Sequence, residues 1–209
     1  MTGDRADLWR YARAHHLVQL LAGYVVAMVV TWWTGGGEFV LPAANSRGWS
    51  QMASTLLTPI PFAVLAAGSL HSSMASLERA AGTRLIRAEL LHLATALVVA
   101  AGLVGGATAT SGSVAAGAEA VRNLVLYAGL ALVSGRAFGR PLSWILPLAG
   151  FVVAAFWGAD GSGPHWWAWP YQSYDVGASW GGALVVLLLG LAAVVMPPRL
   201  LKGSRSVAV

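Results

Sequence analysis

The fold class this sequence predicts is an all-α integral membrane protein with six transmembrane helices in a single domain over 1–209, and three observations predict it. Of 209 residues, 57% are hydrophobic and only 10% are charged, against roughly a quarter charged in a soluble domain. Apolar runs near the length a bilayer requires recur along the chain, parted by short polar segments. The 13 Lys and Arg residues fall mostly in alternate polar segments, as expected of a chain that crosses a membrane repeatedly.

Residues 1–16 mix Asp4, Arg5, Asp7, Arg10 and Arg13 with Leu8, Trp9, Tyr11 and Ala12. This pattern predicts an amphipathic helix along the inner membrane face, its charged side in water and Trp9 among the headgroups. The apolar run 17–33 is longer than a signal-peptide core, and GGGEFVLPA behind it offers no small-residue cleavage site. It is therefore the first retained span. A loop outside the cytosol follows, then a second span over 53–70. Thr58, Pro59 and Pro61 predict a distorted first turn there, with hydroxyls satisfying freed carbonyls.

Between the second and third spans lies SLHSSMASLERAAGTRLIRAE, Ser69 to Glu89. Within it Ser76 to Arg87 reads as a short amphipathic helix, with Leu77, Ala80, Ala81 and Leu85 on one side and Glu78, Arg79, Arg84 and Arg87 elsewhere. Held between two spans at the cytosolic surface, it is a place where another protein can push on the membrane domain. The third span is expected over 90–107, where Gly102 and Gly106 form a G-x-x-x-G that permits close helix contact.

The fourth span is expected over 120–135. Its uncharged part, Leu124 to Gly135, would be only about 18 Å long as a helix, so Glu119 and Arg122 are placed at its outer end, one turn apart and able to pair. Arg136 and Arg140 make a basic turn before Pro141, and the fifth span runs over 141–157. The segment Gly158 to Ser179 carries Trp166, Trp167, Trp169, Tyr171 and Tyr174. It reads either as an interfacial aromatic belt or as a re-entrant element between spans five and six. The sixth span, 180–196, stops at Pro197 and Pro198.

With the N-terminus inside, the inner segments hold Arg5, Arg10, Arg13, Arg79, Arg84, Arg87, Arg136, Arg140, Arg199, Lys202 and Arg205, while the outer side holds Arg47 and Arg122. This asymmetry predicts that both termini are cytosolic in a multi-pass plasma-membrane protein.

Several chemistries are disfavoured. Cysteine is absent, so disulfides and thiolate metal sites are excluded, and the single lysine, Lys202 in LLKGS, lacks the glycines of a phosphate-binding loop. No basic patch interleaved with aromatics argues for nucleic acid. His15, His16, His71 and His92 share the inner level and could ligate haem or a metal, or be interfacial residues bonded to backbone and lipid. Asp160, His165 and Asp175 share the outer loop and could bind a cation or assist hydrolysis, or be polar simply because the loop is solvated. Arg122 and Asn123 beside a span have two readings: a substrate contact in a water-filled path, or an arginine reaching outward to Glu119 and the headgroups.

Together these features resemble the six-span permease subunits of ATP-binding cassette exporters of the drug, peptide and polysaccharide type, whose fold is shared with the ABCG proteins. SLERAAGTRLIRAELLHL is similar to the family's coupling region. RNLVLYAGLALVSGRAFGRPLSWILP looks like the fourth and fifth spans of small permeases from high-GC bacteria, a genome type that the preference for Arg over Lys also fits. The chain is short for the family, with little room for an outer domain. The resemblance implies a transport subunit without its own nucleotide site. ATP and Mg would reside in a separate cytosolic ATPase docked on Ser76, Leu77, Glu78, Arg79, Gly82, Thr83 and Arg84, and a second permease chain, identical or related, would complete the path. Arg122, Asn123, Trp166, Trp167 and Trp169 are candidates for a substrate path or gate, and the implied substrate is an amphipathic small molecule, peptide or lipid. The alternatives are a haem or metal redox subunit using the inner-level histidines, and a non-transporting immunity or scaffold protein.

Overall fold

The computed structural model describes residues 17–34, 37–42, 49–70, 83–160 and 163–195. Within them lie six α-helices: α1 (Leu17–Thr34), α2 (Pro59–Gly68), α3 (Thr83–Ser111), α4 (Val114–Phe138), α5 (Ile145–Trp157) and α6 (Gly177–Val195). Two antiparallel hairpins join them, β1 (Glu38–Pro42) with β2 (Trp49–Ala53) after α1, and β3 (Ala159–Asp160) with β4 (Gly163–Pro164) after α5. Four segments are long and apolar enough to cross a membrane: Glu89–Ser111, Val114–Phe138, Arg140–Trp157 and Gly177–Val195. Val18–Thr34 and Ser54–Gly68 are shorter apolar helices. The end of the bundle carrying Arg136 and Arg140 is called the inner end below, following the charge asymmetry, and the hairpin end the outer.

α4 is the centre of this bundle. In its most apolar window 61% of residues are buried, against 28% in α3 and 17% in both the α5 and α6 segments. α2, α3, α5 and α6 pack against it, α1 packs on α2 and α3, and the helices turn apolar side chains outward: Leu21, Val25 and Val29 on α1, Val98 on α3, Val152 on α5, Leu184 and Leu188 on α6. A helix bundle apolar on its outside is stable when the surroundings are lipid. The core packs Tyr24, Phe62, Ala100, Val104, Leu124 and Tyr127 together, and Tyr24 also donates from its hydroxyl to the Ala96 carbonyl at 3.2 Å, tying α1 to α3.

Glycines set the closest helix approaches. A Cβ on Gly129 would lie 2.5 Å from the Val186 backbone, and one on Gly190 would lie 2.7 Å from the Gly129 carbonyl, so α4 and α6 touch backbone to backbone. α3 meets α4 in the same way through Gly105 and Gly117. The G-x-x-x-G pair is not at this contact: a Cβ on Gly102 or Gly106 meets nothing within 4 Å. Both glycines lie on the exposed side of α3, because the face that reaches α4 carries Gly105 and Val104.

Other expectations need correction. The fourth helix spans Val114–Phe138, longer than 120–135, because Ser113 caps its start by accepting from the Ala116 N–H at 3.1 Å. Glu119 and Arg122 thus lie inside the helix, and Arg122 is buried rather than directed outward to the headgroups. The third apolar span starts at Glu89, close to the expected Leu90, but the helix that carries it begins earlier, at Thr83. TRLIRAELLHL contains neither Gly nor Pro to break it, so Thr83, Arg84 and Arg87 belong to the same helix as the span instead of ending a separate short one. The distorted start of the second span is present: a 3-10 turn at Ser54–Leu56 precedes α2, and the Thr58 hydroxyl donates to the Ser54 carbonyl at 3.0 Å. Residues 1–16 and the proposed docking residues Ser76, Leu77, Glu78, Arg79 and Gly82 lie outside the described residues, as do His15, His16 and His71.

Candidate functional site: a buried arginine latch at the outer end of α4

The segment between α5 and α6 contains no described helix longer than the 3-10 turn Trp169–Tyr171. Such a chain has few internal partners for its carbonyls, and buried carbonyls require donors. Arg122 supplies them. Its Nη1 donates to the carbonyls of Gln172 at 2.5 Å and Ser173 at 3.1 Å and to the Ser179 hydroxyl at 3.1 Å, while Nη2 donates to the Pro170 carbonyl at 3.0 Å. Asn123 Oδ1 accepts from both Nε and Nη2 at 3.3 Å. The planar guanidinium with its five donors suits this fan of acceptors, as a lysine ammonium would not.

Asn123 extends the assembly to a third element. Its Nδ2 donates to the Thr55 carbonyl at 3.0 Å, in the turn before α2, and to the Pro170 carbonyl at 3.2 Å. One helical turn of α4 therefore fastens the approach to α2, the aromatic segment and the start of α6. Ser179 takes part twice, accepting from Arg122 and donating to the Val176 carbonyl at 2.7 Å. Arg122 is 1% exposed and Asn123 0%. A buried cation normally needs an anionic partner; here carbonyl dipoles surround it, and Glu119 is not among its hydrogen-bond partners.

The three tryptophans divide. Trp169 packs its indole against Gly182 of α6, where a Cβ would come within 2.6 Å of the ring, so that glycine seats the segment on the helix. Trp167 stacks on His165 with centroids 5.9 Å apart, and Trp166 is 82% exposed. Burial also pushes the Tyr171 phenol above its ordinary range. Beneath the latch the Tyr127 hydroxyl is fully buried, without a hydrogen-bond partner among the described residues.

The sequence singled out Arg122 and Asn123 as polar groups near a span, and the structure joins them in one network. Thr55, Ser179 and Gly182 were missed. They are ordinary small residues, far away in sequence, and the Pro-rich segment's need for donors was the one signal available.

An apolar groove of about 630 Å3 lies in the outer half, between α1 at Gly23, Val26 and Thr31, Phe39 of β1, and Leu57 and Pro61 beside α2. Its threonines bond to their own helices, Thr31 to the Ala27 carbonyl and Thr58 to that of Ser54. At the inner level His92 Nε2 lies 3.1 Å from the Ser69 hydroxyl. Among the described residues no three His, Asp or Glu side chains gather as a metal would require. No protein-family profile, curated protein or solved structure matches the chain.

Proposed function

We propose that this chain is the six-span permease subunit of an ATP-driven exporter, working as a dimer or with a related permease and coupled to a separate cytosolic ATPase. One observation carries the reading: α3 runs without a break for 29 residues from Thr83, at the edge of the basic inner segment, to Ser111 at the outer end. At 1.5 Å per residue that is about 43 Å, longer than the roughly 30 Å apolar core of a bilayer. A rigid rod of that length carries displacement of its inner end through the membrane. It packs along α4, whose outer end holds the latch.

In this mechanism closure of the ATPases moves Glu78, Arg79 and Arg84, and α3 conveys the motion to α4. The outer segment held by Arg122 and Asn123 is the gate that must release for outward opening, with Trp169 riding on α6. The apolar groove beside α1 offers an amphipathic substrate a station within the outer leaflet. The buried polar network has acceptors and donors but no nucleophile with a base, which suits a mechanical role.

The test is composition and coupling. A tagged chain extracted in mild detergent is expected to bring down an ATP-binding cassette subunit, whose hydrolysis rises with substrate after reconstitution. The double substitution Glu78→Ala with Arg84→Ala is expected to remove that stimulation while leaving the unfolding temperature unchanged. A chain that purifies without an ATPase, or stimulation that survives the double substitution, overturns the proposal.

One observation favours a second reading. Arg122 is 1% exposed and bonded to the Pro170, Gln172 and Ser173 carbonyls and to Ser179, a fastening that suits an outer end that stays closed. A non-transporting immunity or scaffold protein would show no flux in vesicles and no ATPase partner.

A further inference from the structure

Gly23 brings α1 against α2: a Cβ there would stand 2.9 Å from Leu65, and beside this contact Tyr24 and Phe62 lie with ring centroids 5.6 Å apart. Toward the outer end the two helices part, and the space between them is the apolar groove of about 630 Å3. Ala22, Val26, Val30 and Thr34 line it at four-residue spacing, so it runs along one side of α1. From Ala22 to Thr34 the helix rises about 18 Å at 1.5 Å per residue, close to the roughly 15 Å of apolar thickness in one leaflet. Phe39 of β1 stands at the outer mouth, and the neighbouring Trp32 and Trp33 are 61% and 85% exposed, as tryptophans at headgroup level are.

The lining offers an occupant no hydrogen bond donor. Thr31 and Thr34 donate to the carbonyls of Ala27 and Val30 at 2.8 and 3.0 Å, and Thr58 donates to that of Ser54 at 3.0 Å. Among the described residues no charged side chain lines the groove. An extended peptide lying there would hold its carbonyls against hydrocarbon without partners, which the membrane interior penalises at every residue. A helix from a second copy fits poorly for another reason. Close helix contact in lipid needs small residues at the meeting surface, whereas the exposed rim on α1 carries Val26 and Val30, 63% and 53% exposed. A hydrocarbon chain asks for no hydrogen bond, and within a leaflet it lies in the direction that the groove runs.

We infer that this groove holds one linear hydrocarbon chain of an outer-leaflet lipid, the chain lying between α1 and α2 and the headgroup resting at the mouth beside Thr34 and Phe39. The Gly23 contact with Leu65 closes the deep end, and Val26 sets the width midway. The inference deepens the transport reading, on which it rests for the use made of the lipid: the exported class becomes a lipid with a linear tail and not a peptide. Occupancy itself needs only the membrane, so it is measured on the chain without an ATPase.

The test places the full chain in phosphatidylcholine bilayer discs with a trace of the same lipid carrying a photoactivatable diazirine on one acyl chain, and maps the cross-linked residues by mass spectrometry. Cross-links are expected to concentrate on Val26, Val30, Leu57 and Pro61 over the outward-facing Val25, Val29 and Leu188. Val26→Trp is expected to lower them severalfold at the other three groove positions, whereas Val29→Trp, the same bulk outside the groove, leaves them unchanged. On the unaltered chain, excess lysophosphatidylcholine is expected to compete and cholesterol, with its rigid fused rings, is not; this arm decides the matter even if a tryptophan at position 26 does not fold. Even labelling of all outward-facing residues means annular lipid only and overturns the assignment, as does labelling that lysophosphatidylcholine leaves untouched. A single cysteine at Val26 that forms a disulfide between copies puts a second chain on the groove and overturns it too. Groove labelling in a chain that has no ATPase partner sinks the transport reading alone, and an ATPase partner with even labelling sinks this inference alone.

Discussion

At the outer end of α4, Arg122 is 1% exposed and ringed by carbonyls of its own chain, whereas at the inner end the Arg140 side chain is 35% exposed and pairs with Glu89 across 3.6 Å beside an open cavity. The side-chain chemistry is the same, so the difference lies in what surrounds it. The outer segment, through Pro170, Gln172 and Ser173, brings acceptors that no helix or strand satisfies. A guanidinium among them removes several orphaned carbonyls at once. At the inner end the helix termini meet around space, and the arginines keep part of their solvation. One arginine is thus locked inside the fold, while the other is paired but keeps a solvated side beside the cavity.

The most severe way to break this comparison is to remove the outer arginine. Arg122→Ala leaves the Gln172 carbonyl and Asn123 Oδ1 without their donor, while the Pro170 carbonyl keeps Asn123 Nδ2 and the Ser173 carbonyl keeps the Val176 N–H. At about 1–3 kcal/mol for each unsatisfied group, and allowing for relaxation of the segment, the expected loss is about 2 kcal/mol or more, read as a lowered unfolding temperature in micelles. Because the chain has no cysteine, a single cysteine at Ala168, which is 1% exposed, reports release of the segment as faster thiol labelling. Arg140→Gln, in contrast, removes a partly exposed ion pair and is expected to cost about 1 kcal/mol or less. If both substitutions cost the same, the distinction between the two ends is wrong.

A smaller effect is expected below the latch, where α4 and α6 touch. Gly190→Ala forces a methyl against the Gly129 carbonyl at 2.7 Å. Overpacking of that kind costs about 1–3 kcal/mol, and because backbone stands on both sides, neither helix can yield by a rotamer change. The measurement is again the unfolding temperature, together with labelling at Ala168. If the segment is released although Arg122 is intact, α6 and not the arginine is what holds it.

These contacts explain how much was legible in advance. The helical character of the chain followed from composition and run length, and the basic turn at Arg136 and Arg140 was read directly. The two hairpins were not, because β1 and β2 are short and their pairing of Glu38 with Ala53 bridges a loop rather than showing in any local periodicity. The length of α4 was underestimated because a charged residue inside a span was taken as a boundary. That rule fails when the loop folded over the helix supplies the acceptors, as Pro170, Gln172 and Ser173 do for Arg122, and those partners are about fifty residues away.

The smallest expected effect concerns the glycines that a motif search would choose first. Gly102 and Gly106 have the spacing of a helix-contact motif, yet a Cβ on each meets nothing within 4 Å, whereas Gly105 between them would press on Val121 at 2.7 Å. Alanine at 102 or 106 therefore removes backbone freedom without adding a clash, and glycine within a helix is about 1 kcal/mol less favourable than alanine. Each substitution is expected to leave the unfolding temperature of the isolated chain unchanged or slightly raised, while Gly105→Ala lowers it. The exposed pair beside Trp32 and Met28 lines a groove of about 330 Å3 on the outside of the bundle. A loss of stability at Gly102 or Gly106 as large as that at Gly105 would mean that another segment covers this face, since none of the described residues is close enough to feel the added methyl.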